Sequence, residues 1–262
     1  MAEWLIYLTL GAFAGTLAGM LGVGGGLVIV PVLVWVFAGL AFDHGVIMHL
    51  AVGTSLATIV FTSLSSVRAH HRRGAVQWPA VWQLLPGIVL GVFLGALLAE
   101  GLPTAALRNV FGVFELLVAA QMGFSLLPEA HRALPGRIGM SAAGTVIGGV
   151  SAIVGIGGGT LTVPFLLWCG VAMRQAVATS AACGLPIAVA GAVAFAWTGS
   201  GNAGLPAQAV GYLYLPALFG IAVSSILFAP LGAWLAHSLP TTALKRFFAL
   251  FLALLGVRML MG

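Results

Sequence analysis

Charge is what this chain has least of. Charged residues are 6% of its 262 positions, ten of them basic and five acidic. A soluble domain carries about 25%, so a globular fold wetted on all sides is excluded. Cysteine is scarce too. Cys169 and Cys183 both lie in apolar text, with no metal-type spacing and no paired framework. The sequence implies no cofactor and no metal, and a disulfide is possible but not suggested. A standard secretory start is also missing: Glu3 stands ahead of the first apolar run and no Lys or Arg does. That run therefore reads as a first membrane helix kept in the mature chain. Enzyme chemistry finds little to work with. Ser200, in Gly199-Ser200-Gly201, has no histidine nearby, and there is no paired-aspartate motif.

What the chain has in excess is hydrocarbon. Hydrophobic residues are 61% of it, and the mean hydropathy is +1.15. Lipid must cover most of such a surface. The basic balance does not point to nucleic acid, because the cations sit in short breaks between apolar runs rather than on a polar domain.

Three strings occur twice, in the same order. Gly22-Val-Gly-Gly-Gly-Leu-Val-Ile-Val-Pro31 returns as Gly155-Ile-Gly-Gly-Gly-Thr-Leu-Thr-Val-Pro164. Ala51-Val-Gly-Thr-Ser55 returns as Ala176-Val-Ala-Thr-Ser180, and Leu102-Pro-Thr-Ala-Ala-Leu-Arg108 as Leu239-Pro-Thr-Thr-Ala-Leu-Lys245. The chain is read as a duplication: a first repeat over 1–127, a linker over 128–137, and a second repeat over 138–262, forming one membrane domain. Each half holds five apolar segments, at 3–21, 26–40, 46–67, 78–99 and 103–126, then 138–154, 159–171, 175–198, 207–236 and 240–261. The expected fold is an all-α integral membrane protein. The second segment of each half is short for a span of about 20 residues and follows directly on a glycine cluster. Segments one and two are therefore a re-entrant hairpin or a broken helix pair. Pro86 and Pro216 fall in the fourth segments and predict kinks there.

Charge orients the segments. If each reverses direction, Arg68, Arg72, Arg73, Arg132, Arg137, Arg174, Lys245 and Arg246 share one side. That side is then cytoplasmic, and both termini lie outside. Arg108 and Arg258 fall opposite, with Glu3, Asp43 and Glu100. The same counting inserts the two halves upside down relative to each other, a recurring plan of secondary transporters.

Glycine clusters at membrane depth need a reason, since each glycine weakens a helix by about 0.5–1 kcal/mol relative to alanine. One reason is a site. Gly24, Gly25 and Gly26, and Gly157, Gly158 and Gly159, each open a short helix. The free N–H groups and positive dipole end there suit an anion. The other reason is close helix crossing. A nucleotide loop is excluded, because no Lys-Ser/Thr follows. Thr160, Thr54-Ser55 and Thr179-Ser180 offer neutral hydroxyl donors to an anion, or bonds to helix backbone. The leading function is a secondary transporter; an anion channel and an intramembrane enzyme are the alternatives.

These duplicated Gly-Val/Ile-Gly-Gly-Gly…Val-Pro and Ala-Val-Gly/Ala-Thr-Ser strings, in a hydrophobic chain of this length, resemble the TauE/SafE family of sulfite and organosulfonate exporters. The resemblance covers essentially the whole chain. It implies transport, commonly export, of a small sulfur-containing anion across a bacterial-type plasma (inner) membrane. Arg174-Gln175 precedes Ala-Val-Ala-Thr-Ser as it often does in the family, whereas the first half has His49-Leu50.

Among the ionisable residues, Glu115 lies mid-segment, where a charge costs about 2.5–3.5 kcal/mol. It is either a proton-coupling group or a hydrogen-bonded structural acid, and its repeat counterpart is Leu252. Arg174 either attracts anions or anchors a helix end. His70-His71-Arg72-Arg73 reads as a topology signal against anionic lipid. His44, His49, His131 and His237 carry no ligand spacing. Trp4, Trp78 and Trp82 fit an interfacial belt. The expected partners are a small anionic substrate, membrane lipid and a coupling proton; a homodimer is compatible with the sequence.

Overall fold

A computed structural model describes residues 2–21, 25–124, 133–238 and 241–262. Gly22, Val23, Gly24, His131, Arg132, Leu239 and Pro240 lie outside the described residues, as do the side chains of His237 and Lys245. Among the described residues, ten helices follow in order: α1 (Ala2–Leu21), α2 (Gly26–Gly39), α3 (Ile47–Arg72), α4 (Trp78–Glu100), α5 (Thr104–Gly123), α6 (Arg137–Val154), α7 (Gly159–Trp168), α8 (Met173–Thr198), α9 (Leu215–Ser238) and α10 (Thr241–Met261). Among the described residues, α3, α4, α5, α6 and α8 are long and apolar enough to cross a membrane.

The fold is nearly, not wholly, helical. The fourth segment of the second half was expected to start at 207, but Ala209–Val210 (β1) and Leu213–Tyr214 (β2) pair as a short antiparallel hairpin. Pro216 is consequently the second residue of α9, where its missing N–H is no loss. Pro79 has the equivalent place in α4, and Pro86 alone of the expected pair lies deeper inside its helix.

Glycine fixes the helix pairing. A Cβ on Gly87 would strike the Ser141 carbonyl, one on Gly91 the Thr145 carbonyl, and one on Gly95 the Gly149 carbonyl. These contacts climb α4 and α6 together, so the two helices are parallel. Gly11 meets Ile221 and Gly15 meets Ser225, so α1 and α9 are parallel as well. The contacts of α3 with α8 run the other way: Gly53 with Phe195, Leu56 with Gly191, Ser63 with Gly184. Those of α5 with α10 do the same, Gly112 meeting Leu260 and Gly123 meeting Ala249. Both of these pairs are antiparallel. Small residues here allow backbone-to-backbone approach, which membrane helices use in place of hydrophobic sorting. The opposite face of α4 carries exposed Leu90, Leu94, Leu97 and Leu98, a surface for lipid.

These directions gather Arg68, Arg72, Arg73, Arg137, Arg174 and Arg246 at one end of the bundle and Arg108 and Arg258 at the other. Two threonines stitch the halves together. Thr179 Oγ1 accepts the N–H of Gln77, the residue that opens α4, at 3.0 Å. Thr54 Oγ1 accepts the N–H of Tyr214, the residue before α9, at 2.9 Å. Each threonine thus satisfies a donor left orphan at a helix start in the other half of the chain. At the arginine-poor end, Tyr212 donates to Glu100 and accepts from Asn202, both at 3.1 Å. Burial pushes its phenol up to about 12. The Tyr212 ring lies 4.9 Å from buried His49, whose Nε2–H donates to the Ala99 carbonyl at 2.9 Å.

Candidate functional site

The two short helices begin in the same way. Gly25 (φ 78°) and Gly158 (φ 75°) are the left-handed residues preceding α2 and α7. Glycine adopts this conformation freely, whereas other residues pay about 1–2 kcal/mol. α6 ends on a third left-handed residue, Gly155 (φ 76°), whose N–H and that of Ile156 both close on the Ser151 carbonyl. Each short helix also carries a proline at its sixth residue, Pro31 or Pro164. Proline cannot donate, so the carbonyls of Leu27 and Thr160 lose their helical partners. The first turn of each therefore has unused donors and an unused acceptor.

The two starts meet. A Cβ on Gly26 would strike the Gly155 carbonyl, and Ser55 Oγ donates to that carbonyl at 2.9 Å. Ile59 of α3 lies against both Gly26 and Gly157, and Gly184 of α8 lies against the Gly157 carbonyl. At a rise of about 1.5 Å per residue, Ser55 and Ile59 lie about 12–18 Å into α3, and Gly184 about 16 Å into α8. The meeting point is therefore near the middle of both long helices. α2 then runs back to the arginine-poor end, where Val34 and Trp35 share a cavity with Ile47, the first residue of α3.

Around Gly158 the site turns polar. Ser151 Oγ and Thr162 Oγ1 each lie 3.5 Å from where a Gly158 Cβ would be. Both side chains are fully buried, and neither oxygen has a hydrogen-bond partner among the described residues. Thr160 Oγ1 and Ser180 Oγ are buried and unpartnered among them as well. The N–H groups of Leu161 and Thr162 close on Gly158, while those of Gly159 and Thr160 belong to the free first turn. Orphaned hydroxyls around free amides form a neutral donor set suited to an oxyanion. Ile187 Cδ1 occupies the space a Gly158 side chain would need.

The sequence-derived residues divide accordingly. Gly25, Gly26, Gly157, Gly158, Gly159, Thr160 and Ser55 belong to this meeting region, and Ser180 lies one turn before Gly184 on α8. Gly24 lies outside the described residues. Thr54 and Thr179 hold backbone N–H groups at opposite ends of it. Arg174 is exposed as the second residue of α8, away from the glycines. Glu115 is fully buried in α5, with both carboxylate oxygens unpartnered among the described residues. Ser151 and Thr162 were missed by the sequence reading. Their signal was hydroxyl residues flanking the second glycine cluster on both sides, where the first cluster has Ala18 and Ile29. A cavity of about 440 Å³ opens at the arginine-rich end, lined by Gln77, Gln83, Pro135 and Arg137 among others. It reaches Gln77, the residue that Thr179 holds.

The family model described as Sulfite exporter TauE/SafE matches residues 7–259. This chain belongs to the TauE/SafE family. A probable membrane transporter protein of Haemophilus influenzae is 38% identical over 97% of this chain and 97% of its own length. A probable membrane transporter protein of Methanocaldococcus jannaschii is 26% identical over 99% of this chain and 97% of its own. YdhB of Bacillus subtilis, also a probable membrane transporter protein, is 26% identical over 94% and 96%. No solved structure matches the chain. As a TauE/SafE member with at least five long apolar helices, it is a multi-pass membrane transporter.

Proposed function

We propose that this transporter exports a small sulfur-containing anion, sulfite or an organosulfonate, by alternating access across a bacterial plasma membrane. The substrate class and the export direction come from the family description. The observation that carries the mechanism is the meeting of two glycine-started short helices, at mid-depth of α3 and α8, beside the unpartnered hydroxyls of Ser151 and Thr162. Supporting it, equivalent helices of the proposed repeats (1–127 and 138–262, joined by 128–137) run antiparallel: α3 against α8, and α5 against α10. An inverted pair of halves, each with a re-entrant hairpin, can exchange inward-open and outward-open states by one rocking motion. The gathered arginines favour a cytoplasmic arginine-rich end and external termini. The cavity beside Gln77 is then the cytoplasmic vestibule.

In this reading the anion sits at the first turn of α7. It accepts from the Gly159 and Thr160 amides and from Ser151, Thr162 and Ser180, with Gly25 and Gly26 closing the opposite side. Glu115, buried and without a hydrogen-bond partner among the described residues, is the proposed proton-coupling group. The test is sulfite flux in proteoliposomes. Saturable flux that follows an imposed proton gradient, and is lost in Gly158→Ala, is expected. An ungated conductance would show a channel instead.

A further inference from the structure

A cavity opens at the arginine-poor end of the bundle, and none of the residues that line it belong to the meeting region. Arg108 and Arg258 are the two cations that fall on the arginine-poor end, and they line one cavity of about 120 Å³. His44 and Thr104 line it too, with Trp35 of α2 and Gly262. Among the described residues, no aspartate or glutamate side chain lines it. The nearby carboxylate, Asp43, accepts the Gly45 N–H at 2.8 Å. Thr104 Oγ1 donates to the Gly45 carbonyl, which fixes the loop that carries His44 against the start of α5. The Arg108 Nε is buried and has no partner among the described residues. The Arg258 guanidinium is held 5.1 Å from the centre of the Trp35 ring.

Two guanidiniums sharing a cavity repel each other, and a buried guanidinium N–H left unpaired is costly. An oxyanion removes both penalties, since the arginine fork matches its geometry. The volume equals that of about four waters, enough for one sulfonate or phosphate group. The start of α5 adds a positive helix end at Thr104.

We propose that Arg108, Arg258, His44 and Thr104 form a binding site for a single oxyanion group, sulfonate or phosphate, on the face away from the arginine cluster. A soluble anion or a lipid headgroup phosphate could supply it.

Trp35 reports on the site. Protein in phosphate-free maltoside micelles is titrated with methanesulfonate, and the fluorescence change that disappears in Trp35→Phe is read. A saturable change is expected, with Kd raised about tenfold or more in Arg108→Gln and raised less in Arg108→Lys. Repeating the titration in phosphatidylglycerol vesicles separates the sources. An unchanged response means a soluble anion, and a response already saturated means the headgroup. The change should persist in Gly158→Ala even as transport is lost, so the two sites fail separately. Absence of any Trp35-dependent change in the micelles, or an Arg108→Gln titration that matches the parent protein, overturns the proposal.

Discussion

Removing Ser151 and Thr162 hydroxyls should weaken transport while strengthening the fold. Each oxygen is buried without a partner among the described residues, and an unsatisfied buried hydroxyl costs about 1–3 kcal/mol. Ser151→Ala and Thr162→Val delete that cost and nearly keep the volume. Each variant should therefore be more stable than the parent by about 1 kcal/mol. A hydroxyl that donates to an anion contributes about 1.5–3 kcal/mol. Its loss should raise the KM for sulfite about 10- to 150-fold. Since both oxygens point at the Gly158 position, they should act on one ligand, and the double variant should be non-additive in KM. Stability is read from thermal unfolding in detergent, and KM from flux in proteoliposomes. Ordinary structural hydroxyls would give the reverse result, with lower stability and an unchanged KM. That outcome would refute the site.

Three further outcomes follow from the geometry. Thr54→Val and Thr179→Val each strand a backbone N–H, of Tyr214 and Gln77 respectively. Each should destabilise by about 1–3 kcal/mol, with Ser restoring most of it; equal unfolding midpoints for Val and Thr would discount the stitch. Gly91→Ala and Gly148→Ala drive a Cβ into the facing Thr145 and Ile88 carbonyls. They should cost about 1–3 kcal/mol by overpacking, whereas Gly39→Ala, which meets nothing within 4 Å, should be neutral in the same unfolding assay. Glu115→Gln should flatten the pH dependence of transport, measured as flux against external pH at fixed sulfite; an unaltered profile would remove Glu115 from coupling.

The helices were legible because each apolar segment is bounded by glycine, proline or a charge. Trp78 and Gly159 start their helices where the text changes character, and both appear as expected. The hairpin before α9 was not legible. Ala209 to Tyr214 reads as a continuation of an apolar run, and the long-range bonds of Tyr214 to Thr54 and of Tyr212 to Phe195 pin the hairpin in place. Long-range partners also decided the hydroxyl residues. Thr54 and Ser55 are adjacent and look alike in the text, yet one accepts an N–H from the other half and the other donates to the Gly155 carbonyl.

The two readings of glycine, close crossing and backbone exposure, turn out to belong to different glycines. Gly87, Gly91 and Gly148 have ordinary helical backbones and carbonyls pressed against them. Gly25 and Gly158 have left-handed backbones and open a helix. Gly26 does both, starting α2 while pressed on the Gly155 carbonyl. This joins the two clusters mechanically. Any motion that parts the starts of α2 and α7 must separate Gly26 from the Gly155 carbonyl, which Ser55 steadies. Ser55→Ala should therefore loosen the contact and alter turnover more than KM, whereas Ser151→Ala should alter KM more than turnover. Matching effects from both would mean that the contact and the binding pocket are not separate parts of the cycle.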